Sequence, residues 1–88
     1  MTKEAYQEEV LVDEKLENQV ILYNDDVNTF DWVIESLVKV CDHEPVQAEQ
    51  CAWLVHLKGK CAVKNGGFDD LRKYQAALSD RGLSAEIE

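Results

Sequence analysis

The run Asn24-Asp25-Asp26 places three side chains with hydrogen-bond acceptors next to one another in the sequence. Amide and carboxylate oxygens accept hydrogen bonds from charged N–H groups, so this run suits a cationic donor such as an amine. Apolar residues of two predicted helices should lie beside it: Phe30, Val33, Ala52 and Val55. Together they would fit a ligand with an amine and a large side chain on one carbon, as in a peptide's first residue. The run is also typical of an ordinary turn that ends a strand with solvated charges.

The cysteines and histidines form no pattern typical of catalysis or of metal binding. Cys51 and His56 are five positions apart in one predicted helix, so their side chains point about 140° apart and do not pair within it. The three cysteines lie ten residues apart, without the close pair that zinc sites usually have. We therefore expect buried thiols, no catalytic residue, no metal and no cofactor. From spacing alone, His56 is a helix-end residue, where the dipole favours a positive charge.

The charge of the chain limits the partners that it can bind. Its 88 residues include 9 Lys and Arg against 18 Asp and Glu, which gives a net charge of −9. This charge disfavours nucleic acid and anionic membranes, because both are negatively charged. It favours partners with cationic patches and ligands with a free amine. Three cysteines, with neither a signal peptide nor a long apolar segment in view, predict a cytoplasmic protein with free thiols.

The length fits one domain preceded by a short arm. Residues 1–17 are acidic, with one apolar cluster at 10–12, and are predicted to form a flexible N-terminal arm. This arm is either a solvated tail or a docking segment. Residues 18–88 are predicted to form the core domain.

Hydrophobic periodicity and turn residues predict six elements in this domain. They are a strand at 19–23, a helix at 30–40, a helix from Pro45 to about 56–57, a strand at 60–64, a helix from Phe68 to just before Gly82, and a strand at 83–88. Asn28 or Thr29 can N-cap the first helix, and residues 65–67 are predicted as a turn. The order β-α-α-β-α-β predicts an α+β fold, a two-layer sandwich of a three-stranded antiparallel sheet against three helices.

Two segments resemble the signature motifs of the ClpS family. The first comprises residues 20–26 (Val-Ile-Leu-Tyr-Asn-Asp-Asp) together with 30–34. The second comprises residues 48–60, in which a Val-His-x-x-Gly pattern occupies positions 55–59. The resemblance covers residues 18–88 and is closest over 20–60. It implies an adaptor that binds proteins with destabilising N-terminal residues (N-degrons), typically Leu, Phe, Tyr and Trp. Such an adaptor delivers them to an AAA+ unfoldase that works with the ClpP protease.

The resemblance also implies a role for each site residue. Asn24 and His56 would bind the α-amino group of the substrate with help from Asp25, and Asp26 and Asn28 would contact its first peptide units. The side-chain pocket would be lined by four residues: Phe30, Ala52, Val55 and Leu83. Family members usually have a methionine at the position of Phe30, so the pocket should differ in shape here. The partner would be the N-terminal domain of an unfoldase of the ClpA or ClpC type, which the arm would also engage.

Two other functions are compatible with the sequence. One is a regulator of the same fold that docks on an unfoldase without binding N-terminal residues. The other is a structural protein-interaction domain similar to the C-terminal domain of the ribosomal stalk protein. That domain tends to have glycine-rich helix turns, which this chain lacks. An enzyme is the function that the sequence supports least.

Overall fold

The computed structural model describes residues 17–88 of the chain. Six elements follow one another in the predicted order: β1 (Asn18–Tyr23), α1 (Phe30–Cys41), α2 (Pro45–Lys58), β2 (Lys60–Gly66), α3 (Phe68–Asp80) and β3 (Ser84–Ile87). The strands form one antiparallel sheet in the order β2-β1-β3, which confirms the predicted α+β sandwich. The predicted arm at 1–17 lies outside the described residues except for Glu17. None of the helices in residues 17–88 has the length and apolar content needed to span a bilayer.

The central strand β1 ends at Tyr23, and both neighbouring strands begin beside this end. Tyr23 pairs with Lys60, the first residue of β2, and with Ser84, the first residue of β3. The loop after β1, the turn after α2 and the turn after α3 therefore meet at one end of the sheet. Residues that are far apart in the sequence come together there.

One apolar core lies between the sheet and the helices. Strand β1 contributes Val20 and Leu22 to it, and α3 contributes Leu71 and Leu78. The predicted face of α2 is buried at all four positions: Ala48, Cys51, Ala52 and Val55. Because burial of apolar surface stabilises the fold by roughly 25 cal/mol per Å², this face fixes the rotation of α2 about its axis. His56, on another side of the helix, is consequently exposed.

The register between β1 and β2 shifts at Val63. Val20 pairs with Lys64, whereas the next residue of β1 pairs with Ala62, so Val63 is left without a partner in β1. This is a β-bulge. The carbonyl oxygen of Val63 accepts a 2.8 Å hydrogen bond from Nε2 of His43, a buried residue of the connector between α1 and α2. The bulge thereby fixes this connector to the sheet.

Several element boundaries differ from the prediction by one or two residues, and two of these differences have a clear physical cause. Strand β2 continues through Asn65 to Gly66, because these residues pair with the first two residues of β1. Turn-favouring residues are thus drawn into the sheet by pairing with a neighbouring strand. Strand β3 begins at Ser84 and not at Leu83, whose N–H donates to a carbonyl of α3 and so belongs to the helix end.

Candidate functional site

Asn24 and His56 lie near each other because the end of α2 is fixed to the end of β1. The backbone N–H of Asn24 donates a 2.9 Å hydrogen bond to the carbonyl oxygen of Gly59, and the N–H of Gly59 donates to Val55 at 3.0 Å. Gly59 has φ 94°, a left-handed conformation that ends α2 and that other residues adopt only with strain. This glycine allows the chain to leave α2 and enter β2 beside Asn24.

Asp25 organises the loop between β1 and α1. Its Oδ1 accepts hydrogen bonds from the backbone N–H groups of Val27 (2.9 Å) and Asn28 (2.8 Å), and its Oδ2 accepts one from Nδ2 of Asn28 (2.8 Å). Partial burial raises the pKa of this carboxyl, but the three hydrogen bonds outweigh that effect, so the pKa is lower than its usual value. Since a carboxylate offers about four acceptor positions, most of this capacity is used within the loop.

The side chain of Asn28 joins this loop to the turn after α3. Its Nδ2 donates to Asp25 and also to the carbonyl oxygen of Gly82, both at 2.8 Å. Both partners are acceptors, so the nitrogen of the amide must face them and the oxygen Oδ1 is left for a ligand. Thr29, and not Asn28, caps α1: its Oγ1 accepts a 3.1 Å hydrogen bond from the N–H of Trp32.

Two adjoining cavities lie above this end of the sheet. The outer cavity has a volume of about 430 Å³ and is lined by Asn24, Asp25, Asp26, Asn28, Phe30, Trp53 and His56. The inner cavity has a volume of about 50 Å³ and is lined by Asn24, Asn28, Phe30, Val33, Ala52, Val55 and His56. Eight of the nine predicted site residues therefore line one or both cavities. The structure thus brings polar and apolar residues of the predicted site together around these cavities.

Leu83 is the predicted pocket residue that lines neither of these cavities. Its side chain is only 5% exposed and belongs to the apolar core. Leu83 follows the turn at Gly82 and packs within the core, and the structure does not place it at either cavity.

Trp53 is a site residue that the sequence reasoning missed. Its ring lies 4.7 Å from that of Phe30, centroid to centroid, and 6.2 Å from that of His56. Residues three positions apart lie on the same side of a helix, so the spacing from Trp53 to His56 was a signal for its place in the site. Its side chain is 47% exposed, which is unusual for tryptophan.

The cysteines lie in or against the core and away from this site. Cys41 and Cys51 are buried and Cys61 is half-buried. Burial raises the pKa of the Cys41 thiol to about 11 and that of the Cys61 thiol to about 12. Thiols of this kind are protonated at neutral pH and are poor nucleophiles. Within residues 17–88, no group of His, Cys, Asp and Glu side chains is placed to bind a metal ion.

The chain is similar to proteins of one family in both sequence and fold. The family described as ATP-dependent Clp protease adaptor protein ClpS matches residues 13–86. The structure of Agrobacterium tumefaciens ClpS2 bound to L-phenylalaninamide shares the fold, with a TM-score of 0.69 at 17% sequence identity. The match covers 82% of this chain and 94% of that one. The search among curated proteins gave no match.

Proposed function

Because the chain belongs to the ClpS family of Clp protease adaptors, we propose that it is an N-degron adaptor. It binds proteins that begin with a bulky hydrophobic residue (Leu, Phe, Tyr or Trp) through the free α-amino group and the side chain. It delivers them to an AAA+ unfoldase of the ClpA or ClpC type, in the cytoplasm, and catalyses no reaction itself. The observation that supports this most is the polar rim shared by the two cavities: Asn24, Asn28 and His56.

The rim offers acceptors that match an α-amino group. A free α-amine has a pKa near 7.7–8.0, so it is mostly cationic at neutral pH and has three N–H donors. The side-chain oxygens of Asn24 and Asn28 and one nitrogen of a neutral His56 can each accept one hydrogen bond. In the part of the chain that the structure describes, the side chains of Asn24 and His56 make no hydrogen bond, so both are available to a ligand. Asp26, at the same rim, adds a negative charge.

Binding of a bulky side chain requires the inner cavity to expand. Its volume of about 50 Å³ is far below the roughly 300–1,000 Å³ of typical small-molecule pockets. Phe30 lines both cavities, so a rotation of its side chain would join them. Phe30 is only half-buried and its neighbour Trp53 is exposed, so this movement would disturb little of the core.

The small inner cavity is also the observation that favours a second candidate function. A regulator that docks on the unfoldase without binding N-terminal residues would need no pocket at all. This candidate predicts that the protein binds its unfoldase but has no affinity for peptides that begin with Phe.

The test of the adaptor function is fluorescence anisotropy with a labelled peptide that begins with Phe, compared with its N-acetylated form. For the free peptide we expect a dissociation constant in the micromolar range, which corresponds to a binding free energy of about −8 kcal/mol. Acetylation removes the cationic amine, so the acetylated peptide should bind at least about tenfold more weakly. Equal affinity for both peptides would contradict recognition of the amine, and no binding of either would favour the regulator.

Variants of the rim make this test specific to the site. His56→Ala and Asn24→Ala should each weaken binding of the Phe peptide by about tenfold, or about 1.4 kcal/mol, the loss of one hydrogen bond to a charged group. The matched control is Gln50→Ala, an exposed position on α2 that lines neither cavity. An equal loss in the Gln50 variant would show that the effect is not local to the rim.

A further inference from the structure

The outer cavity extends beyond the part of the site that an N-terminal residue would fill. It shares its rim with the inner cavity and adds three residues of its own: Asp25, Asp26 and Trp53. If the first side chain of a substrate enters the inner cavity while its amine lies at the rim, the chain must continue through the outer cavity. The second residue of the substrate would then lie against Asp26 and Trp53.

Two groups on this outer wall are free to bind a ligand. Across residues 17–88, the carboxylate of Asp26 takes part in no hydrogen bond or ion pair, in contrast to that of Asp25. The indole N–H of Trp53 also has no acceptor among these residues, although that of Trp32 donates to a backbone carbonyl. About half of the Trp53 side chain faces solvent. The wall therefore presents an aromatic surface and an uncommitted negative charge.

An aromatic surface beside a carboxylate is the environment that a guanidinium group prefers. The planar cation stacks on the ring and also donates hydrogen bonds to the carboxylate. The protein contains one such arrangement already: the guanidinium of Arg81 lies 4.2 Å from the centre of the Trp32 ring and 3.5 Å from a carboxylate oxygen of Glu35. Asp26 and Trp53 both line the outer cavity, so they present the same two kinds of partner to a ligand within it.

We propose that Asp26 and Trp53 form a second subsite, which binds an arginine side chain at the second position of the substrate. This proposal rests on the N-degron function and narrows it to a class of substrates, those that begin with a bulky hydrophobic residue followed by arginine. Lysine binds there more weakly, because its ammonium group does not stack. Glutamate at the same position is repelled by Asp26.

The experiment compares two peptides of equal composition and charge, one that begins Phe-Arg and one that begins Phe-Ala with the arginine moved to the sixth position. We expect the Phe-Arg peptide to bind about fivefold more tightly, which corresponds to about 1 kcal/mol for a partly exposed cation–π contact. The second peptide controls for general attraction to a protein with a net charge of −9. Equal affinities would overturn the subsite while leaving the adaptor function intact.

Variants assign the preference to the proposed residues. The affinity for the Phe-Arg peptide divided by that for the Phe-Ala peptide should fall to about one in Trp53→Ala. In Trp53→Phe this ratio should lie between one and the value of the parent, and in Asp26→Asn it should be lower than in the parent. Leu54→Ala is the control, since Leu54 is an exposed apolar residue of α2 that lines neither cavity, and its ratio should equal that of the parent. A ratio that survives Trp53→Ala would overturn the role of the ring. If the parent binds no Phe peptide, the adaptor function and the subsite fail together.

Discussion

At the scale of single residues, Asp25 and Asn28 show how one carboxylate can shape a site through the hydrogen bonds that it accepts within its own loop. Three hydrogen bonds from its own loop bind Asp25, and one of them comes from the side chain of Asn28. That bond turns the amide so that its oxygen is free. The sequence predicts both residues for the site, but it does not show that most of the acceptor capacity of Asp25 is used internally. Asp25 is therefore a positioning residue for Asn28.

The lowered pKa of Asp25 makes a prediction about stability and pH. A carboxyl whose pKa is lower in the folded state than its ordinary 3.8 stabilises the fold at higher pH. This contribution is lost as the pH falls through the folded-state pKa. Asp25→Asn lacks this charge, so we expect its free energy of unfolding to be about 1 kcal/mol lower than that of the parent at about pH 6. The difference should shrink towards about pH 3, where the parent also loses the charge. Urea unfolding followed by circular dichroism measures it, and a difference that is independent of pH would contradict the prediction.

At the scale of the elements, the end of α3 is fastened to α1 through Arg81. Its Nε donates a 2.8 Å hydrogen bond to the hydroxyl of Ser36, which is fully buried, and its guanidinium lies over the ring of Trp32. The indole N–H of Trp32 returns a hydrogen bond to the backbone carbonyl of Arg81. This contact holds the turn at Gly82 in place, and that turn supplies the carbonyl that orients Asn28.

We therefore expect Arg81→Ala to destabilise the protein by about 2–3 kcal/mol, because it removes the stacked cation and leaves a buried hydroxyl without its partner. The melting temperature should fall by about 10 °C. The control is Lys39→Ala, which removes an exposed ion pair of 3.0 Å with Glu35 on α1 and should cost no more than about 0.5 kcal/mol. Similar losses in both variants would show that Arg81 contributes only surface charge.

The elements could be predicted from sequence because their signals are local. The four buried positions of α2 follow helical spacing, and Pro45 and Gly59 mark its ends. The boundaries at Gly66 and Leu83 depend instead on pairing with β1 and on the end of α3, which no local pattern contains. The bulge at Val63 is a further example, since it depends on His43, twenty residues earlier in the chain.

At the scale of the whole molecule, the candidate site depends on three connections that meet at one end of the sheet. The order of the elements predicted the fold, and the family resemblance suggested which residues would meet. Spacing alone left Asn24-Asp25-Asp26 as either a turn or an acceptor cluster, because the choice depends on what α2 places opposite them. Trp53 was missed because its place at the outer cavity depends on its contacts with Phe30 and His56, although its three-residue spacing from His56 was a local signal.

The position of the site makes a prediction about the arm. All residues that line the two cavities lie between Asn24 and His56, so removal of residues 1–16 should leave the affinity for a Phe peptide within a factor of about two. If the arm engages the unfoldase, the same truncation should abolish degradation of a Phe-initiated reporter by unfoldase and ClpP. Loss of peptide binding would place the arm in the site, and undiminished degradation would remove it from delivery.

The contact between Phe30 and Trp53 gives the protein an optical signal of its own. Indole emission depends on the groups that surround the ring, and a ligand that displaces Phe30 or lies on Trp53 changes those surroundings. Trp32, under the guanidinium of Arg81 and bonded through its N–H, stays in a constant environment and serves as an internal reference. Binding of a peptide can therefore be followed without a label, as a change in Trp53 emission over a constant contribution from Trp32.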